Sequence, residues 1–197
     1  LITSNSEALP SFEKLLGNGA EFGLEISYAA QDGPKGIADA LGLAEEFAKD
    51  SKVAVMLGDN IFTNHAQIKS GVNQFLKDRG TRLFLKEVSD PERFGIAEIK
   101  GSKIVSIVEK PKHPLSNFAV TGFYLYDPDV FSIVKTIIPS NRGELEITDV
   151  NNYYVSRGLA QYEIVRDEWI DAGTFDSLVR ASVVMLEKSK EFRVELK

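Results

Sequence analysis

The sequence predicts an α/β fold, with a mixed, mostly parallel central sheet flanked by helices and a small antiparallel β insertion. Three observations carry this reading. Strand-like segments alternate with segments of helical periodicity through the early part of the chain, as successive β/α units do. The run "VAVML" at 53–57 is apolar throughout, as a strand covered on both faces would be. Beyond residue 94 the strand-like segments crowd together around a turn, which marks a hairpin.

Taken in order, Leu1-Ile2-Thr3 reads as the tail of a strand, so the chain is expected to begin inside an α/β unit and to be N-terminally incomplete. Residues 10–16 read as a short helix stopped by Gly17, "GNGAEFG" as a loop and "LEISYAA" as an alternating strand. The loop "QDGPKG" leads into a helix on which Ile37, Ala40, Leu41, Ala44 and Ala48 recur at helical spacing. The apolar strand at 53–57 then meets the Gly58-Asp59-Asn60 turn. Ile68, Val72, Phe75 and Leu76 outline a helix closed by Gly80, and "TRLFLKEV" is a strand. "FGIAEI" and "KIVSIVEK" flank Lys100-Gly101-Ser102 as a hairpin, and "FAVTGFYLYD" is a longer, aromatic strand. Asp127 is expected to cap a helix with Pro128 at its first position. "ELEITDVNNYYVSRG" reads as helical up to Gly158, and "QYEIVRD" as a strand. A last amphipathic helix runs through Phe175, Leu178, Val179 and Leu186. With no repeat, linker or low-complexity stretch, residues 1–197 are expected to form a single domain.

Composition removes several function classes. A hydrophobic content of 43% with 26% charged residues is ordinary for a globular chain and argues against disorder. The net charge of −6 argues against nucleic-acid binding, while a few local cations suffice for a small phosphate ligand. The lack of cysteine removes disulfides and thiolate catalysis and suits a reducing, cytoplasmic compartment. The histidines, His65 and His113, read as surface-loop residues without a role. No apolar stretch approaches the ~20 residues of a membrane span, and no signal peptide opens the chain.

Several stretches carry candidate chemistry, each with a plainer alternative. Asp59 stands where an apolar strand ends, with Gly58 allowing the bend, and ligands of α/β sheets bind at such ends. A solvated turn aspartate is the alternative. Asp171, in "WIDAGTF", supplies a second carboxylate of the kind a Mg²⁺ ion needs, or else an aspartate favoured by a helix N-terminus. Gln31, Gly33, Pro34 and Gly36 precede a helix, where glycine lets a flat ring approach and an amide reads a base edge. The same residues also make an ordinary helix entry. Glu109 and Lys110 suit sugar hydroxyls and phosphate, or are an exposed strand end. Gly122, beside Thr121 inside a strand, implies that something comes close, such as a ligand. Arg142-Gly143-Glu144 opens a helix that it either caps or uses to touch a sugar.

Together, "QDGPKGIADAL", "VMLGDNIF", "DPERFGIAEI", "SIVEKP", "NFAVTGFYLYD", "RGELEITDVNNYYVSRG" and "WIDAGTFDSL" occur in one order. That set resembles the sugar-1-phosphate nucleotidylyltransferases, most closely their glucose-1-phosphate thymidylyltransferase branch. The resemblance implies a Rossmann-like nucleotidyltransferase fold and transfer from dTTP, or UTP, to glucose 1-phosphate. The products would be dTDP-glucose and pyrophosphate, early in deoxysugar (rhamnose-type) synthesis. It further implies Mg²⁺ on Asp59 and Asp171, base reading by Gln31 and Gly36, and sugar contacts at Gly95, Glu109, Val120 and Thr121. Lys110 would hold the sugar phosphate, Gly58 would belong to the substrate-binding turn, and a homodimer or homotetramer would be the working state.

The sequence departs from that pattern in one respect. The family's Gly-rich turn, with its Arg and the Pro and Lys that follow, does not occur in these 197 residues. Since such a turn cradles a triphosphate with backbone N–H groups, this chain is expected to have a damaged nucleotide site and little turnover. The alternatives are another NDP-sugar pyrophosphorylase, such as a UDP-glucose enzyme, and a non-catalytic family member or fragment. A dinucleotide redox protein has little support, since no G-x-G-x-x-G is present.

Overall fold

The computed structural model describes residues 1–195. Its contacts define two compact units, Leu1–Val53 with Asp127–Tyr153, and Ala54–Tyr126 with the chain from Tyr154 onward.

In the first unit, β1 (Ile2–Asn5) runs parallel to β2 (Tyr28–Gln31), with Ile2 opposite Tyr28 and Asn5 opposite Gln31. A parallel pair needs a crossover, here containing α1 (Leu9–Leu16). The Tyr28 hydroxyl donates to the Gly17 carbonyl at 2.6 Å and ties the helix end to the strand. The strand expected from residue 24 starts only at Tyr28, because the Leu24 and Ile26 amides still turn back onto the carbonyls of Gly19 and Asn18. The helix expected in one piece over 37–48 is two, α2 (Ile37–Gly42) and α3 (Glu45–Ala48). The break follows Gly42, a residue of poor helix propensity, and the Ala44 amide folds back to Leu41 at 2.9 Å. α5 (Val130–Val134) packs on α2 and has Asp129, not Asp127, at its N-cap position, with no side-chain capping bond. α6 (Ile147–Ser156) starts later than expected because the Leu145 carbonyl already accepts the Ala38 amide.

The second unit holds a sheet ordered β7 (Lys103–Glu109), β6 (Gly95–Lys100), β8 (Phe118–Tyr126), β5 (Thr81–Glu87), β9 (Ala160–Ile164), with β3 (Val53–Met56) also paired to β8. Beside it, β4 (Asn60–Phe62) and β10 (Trp169–Asp171) form an antiparallel pair. The helices are α4 (His65–Phe75) and α7 (Phe175–Glu195). The α/β class and mixed sheet are those the sequence predicts, and the β6–β7 hairpin is the expected insertion. The balance within the sheets leans the other way: β1–β2 and β5–β9 are parallel, whereas β4–β10, β5–β8, β6–β7 and β6–β8 are antiparallel. Two of these pairs come from β8, which returns between β5 and β6 and runs against both.

Phe123 of β8 sits at the centre of this unit's core, 5.0 Å from the Phe84 ring and 6.1 Å from that of Phe62. Such pairs add about 0.5–1.5 kcal/mol each beyond burial. The β5–β8 register shifts between Leu83 and Leu85, and there the wholly buried Thr121 hydroxyl donates to the Phe84 carbonyl at 2.8 Å.

Two expectations fail on burial. β3 is not covered on both faces but alternates between half-buried and exposed residues, Met56 being 51% exposed. On α7, which packs on β10, the apolar residues Phe175, Leu178, Val179 and Leu186 lie exposed, and it is Ala181 that is buried. Among the described residues no helix is long and apolar enough to cross a membrane.

Replacing Thr121 by Val keeps shape and strands a buried carbonyl. Chemical denaturation is expected to show a loss of about 1–3 kcal/mol.

Candidate active site

The β4–β10 pair places Asn60 opposite Asp171, Ile61 opposite Ile170 and Phe62 opposite Trp169. The Ala172 amide then donates to the Asp59 carbonyl at 2.8 Å, so residues far apart in sequence come to lie side by side. A Cβ built on Gly173 would meet Asp171 Oδ1 at 2.9 Å and Asp59 Oδ2 at 3.3 Å. Both carboxylates therefore border one small space, open only because residue 173 has no side chain. Asp171 Oδ1 also accepts the Gly173 amide at 3.0 Å, a bond that orients it. Two converging carboxylate oxygens can hold a divalent cation that completes its shell with water or phosphate. Among the described residues no group of three or more His, Cys, Asp or Glu is placed to hold a metal. Any cation here thus depends on these two side chains and on what a ligand brings.

Asn60 is the residue of this cluster that sequence reasoning missed. It is 7% exposed, and its amide Nδ2 donates to Asp59 Oδ1 at 2.8 Å. Its Oδ1 accepts from the Gly122 amide at 2.9 Å and from the Trp169 indole Nε1 at 2.7 Å. The Asn60 side chain is also what comes close to Gly122, since a Cβ there would lie 2.7 Å from its amide atoms. The close approach expected at Gly122 is real, and its cause is an internal side chain. Adjacency to Asp59 was the one available signal for Asn60.

The hairpin brings Gly95 opposite Glu109, and the Lys110 amide donates to the Phe94 carbonyl at 2.9 Å. Lys110 is exposed and takes a φ of +43°, a left-handed conformation that costs a side-chain-bearing residue about 1–2 kcal/mol. Burial pushes the Tyr124 hydroxyl well above the ordinary phenol range, helped by the carboxylates of Glu109 and then Asp59. Tyr124 thus stays neutral. Val120 is 8% exposed, and Thr121 is wholly buried with its hydroxyl committed to Phe84. Gly58 is exposed, with no atom within 4 Å of where a Cβ would stand.

In the first unit, Gln31 ends β2, and its Nε2 donates to the Gly36 carbonyl and to Asp39 Oδ2, both at 2.9 Å. Both amide protons face acceptors, so the remaining hydrogen-bonding atom of the side chain is the acceptor Oε1. Gly36 has a φ of +95°, and a Cβ there would lie 2.4 Å from the Leu145 carbonyl oxygen. Its glycine character is required by the protein's own backbone. Glu146 binds Arg142 at 2.8 Å and Ser140 at 2.7 Å, so the Arg142–Glu146 stretch is tied to itself. The cavity of about 1250 Å³ in the second unit is lined by Arg82, Gln161 and Glu163 and by none of the predicted site residues.

Residues 1–188 match the family model described as nucleotidyl transferase. A glucose-1-phosphate thymidylyltransferase of Neisseria meningitidis is 40% identical over 92% of this chain, which spans 64% of that relative's length. The Mycobacterium tuberculosis protein of the same description is 39% identical over the whole chain, which spans 69% of it. Among solved structures, a Bacillus anthracis protein assigned as a glucose-1-phosphate thymidylyltransferase, crystallised with sucrose, superposes with a TM-score of 0.88 and 47% identity. That match covers 93% of this chain and 74% of the other. A UDP-glucose pyrophosphorylase in complex with UDP-glucose shares the fold at a TM-score of 0.78 and 22% identity, over 94% of this chain and 79% of that one.

Replacing Gly122 by Ala would drive a methyl into Asn60. Denaturation is expected to show a loss of about 1–3 kcal/mol, relieved in the Asn60→Ala background as a non-additive double-mutant cycle.

Proposed function

Because this chain belongs to the nucleotidyl transferase family, among sugar-1-phosphate nucleotidylyltransferases most like glucose-1-phosphate thymidylyltransferase, we propose that it belongs to a catalytic domain that makes dTDP-glucose. The substrates are dTTP and glucose 1-phosphate, and the second product is pyrophosphate. The observation that carries this reading is the convergence of Asp59 and Asp171 on one space beside Gly173. The sugar phosphate oxygen attacks the α-phosphorus of dTTP. The new P–O bond forms as the bond to the bridging oxygen breaks, and the electron pair leaves with pyrophosphate. Such a transfer needs positioning and charge neutralisation more than covalent chemistry.

Asp59 and Asp171 fit a Mg²⁺ ion, which when bound offsets negative charge on the phosphoryl group. Lys110, exposed at the hairpin end, holds the sugar phosphate as a point charge. Glu109 and the Gly95 backbone hold sugar hydroxyls, and Val120 borders them. Oε1 of Gln31 accepts the imide N–H of thymine. Uracil offers the same N–H, so discrimination rests on a methyl group worth about 1 kcal/mol, a preference of several-fold in product formed from dTTP over UTP. The product's chemistry places the reaction at the entry to deoxysugar synthesis.

Isothermal titration of the 197-residue chain with dTDP-glucose and glucose 1-phosphate, with and without Mg²⁺, tests the reading. Binding of the sugar nucleotide that weakens in Asp171→Ala is expected, and a folded chain that binds neither ligand overturns it. Lys110→Ala and Lys110→Gly are expected to lose glucose 1-phosphate affinity equally. The glycine variant should in addition gain about 1 kcal/mol of stability by relieving the left-handed backbone.

A further inference from the structure

We infer that Asn60 is the residue that aims Asp59, a positioning residue of the cation site, and that Trp169 reports its state. This rests on the reading of Asp59 and Asp171 as cation ligands proposed above. Asn60 has its Oδ1 against two N–H donors, Gly122 N at 2.9 Å and Trp169 Nε1 at 2.7 Å. Those donors fix which end of the amide is which, so Nδ2 has to point at Asp59 Oδ1, 2.8 Å away.

The consequence lies in which carboxylate oxygen remains. Asp59 is exposed and stands next to Gly58 on a turn, where little packing holds its side chain. With Oδ1 held by Asn60, it is Oδ2 that borders the space beside Gly173, where Asp171 Oδ1 also lies. A buried amide thus selects the oxygen turned toward the second ligand, as hydrogen-bond partners of metal-binding carboxylates commonly do. Asparagine is suited to this task because it donates a bond to the carboxylate without adding a like charge. Two of its anchors, β8 and β10, are separate strands, so Asp59 is referenced to the sheet and to the Asp171 strand at once. Trp169 is the only tryptophan and shares the Asn60 oxygen, so its emission reads the network directly.

The test is titration of the chain with Mn²⁺ alone, followed by the electron paramagnetic resonance of the free ion. A parallel titration with Mg²⁺ follows Trp169 emission. Asp59→Asn and Asn60→Ala are both expected to weaken Mn²⁺ binding at least about 10-fold. Mg²⁺ is expected to shift Trp169 emission in the unsubstituted chain and not in Asp59→Asn. If Asp59→Asn binds Mn²⁺ as tightly as the unsubstituted chain, the cation reading fails and this inference falls with it. If Asp59→Asn weakens binding and a folded Asn60→Ala does not, the inference alone is overturned. Should Asn60→Ala fail to fold, the emission measurement decides: a Mg²⁺-dependent shift supports the linkage, and a chain that binds Mn²⁺ with no shift under Mg²⁺ overturns it.

Discussion

The buried amide of Asn60 joins three segments: the turn that carries Asp59, the middle of β8 at Gly122, and the start of β10 at Trp169. An amide bonded through both its oxygen and its nitrogen in a dry setting favours one arrangement, because flipping it would leave buried groups unpaired at about 1–3 kcal/mol each. The lack of a side chain at residue 122 and the direction of the Asp59 carboxylate follow from that condition, beside the β4–β10 pairing of Asn60 with Asp171.

Around this hub the second unit separates stability from chemistry. The aromatic cluster of Phe62, Phe84 and Phe123 and the hydroxyl of Thr121 belong to the interior and close its packing and hydrogen bonds. The groups suited to charged ligands, Asp59, Asp171 and Lys110, lie at strand ends and turns, where solvent screens them until something binds. The left-handed backbone at Lys110 is a local cost of the kind that persists when the surrounding structure determines it. Its amide, bonded to Phe94, and the Gly95–Glu109 pairing supply that determination.

The first unit shows the same economy in a loop. Gln31 is held by Gly36 and Asp39 so that one polar atom remains to be offered. The Leu145 backbone, passing 2.4 Å from where a Gly36 Cβ would stand, makes that glycine compulsory. The loop that leads into α2 and the segment that leads into α6 are thereby one construction, which is why α6 starts only at Ile147.

The sequence by itself determined the α/β class, the hairpin at 100–102, the helix periods and the two aspartates, because these depend on local patterns and residue chemistry. It left open whether Asp59 was a turn residue or half of a site, since that depends on Asp171 arriving from more than a hundred residues away. Element ends were legible only in part: the late start of α6 answers to the bond from the distant Ala38 amide to Leu145, and the break after Gly42 and the short β2 to local backbone turns. The periodicity of α7 promised a buried stripe and the tertiary structure buried Ala181 instead, because periodicity names a face but not its partner. Only the tertiary structure decided what fills the space at Gly122 and what aims Asp59. Both answers are Asn60, whose role lies in long-range hydrogen bonds that leave no local pattern.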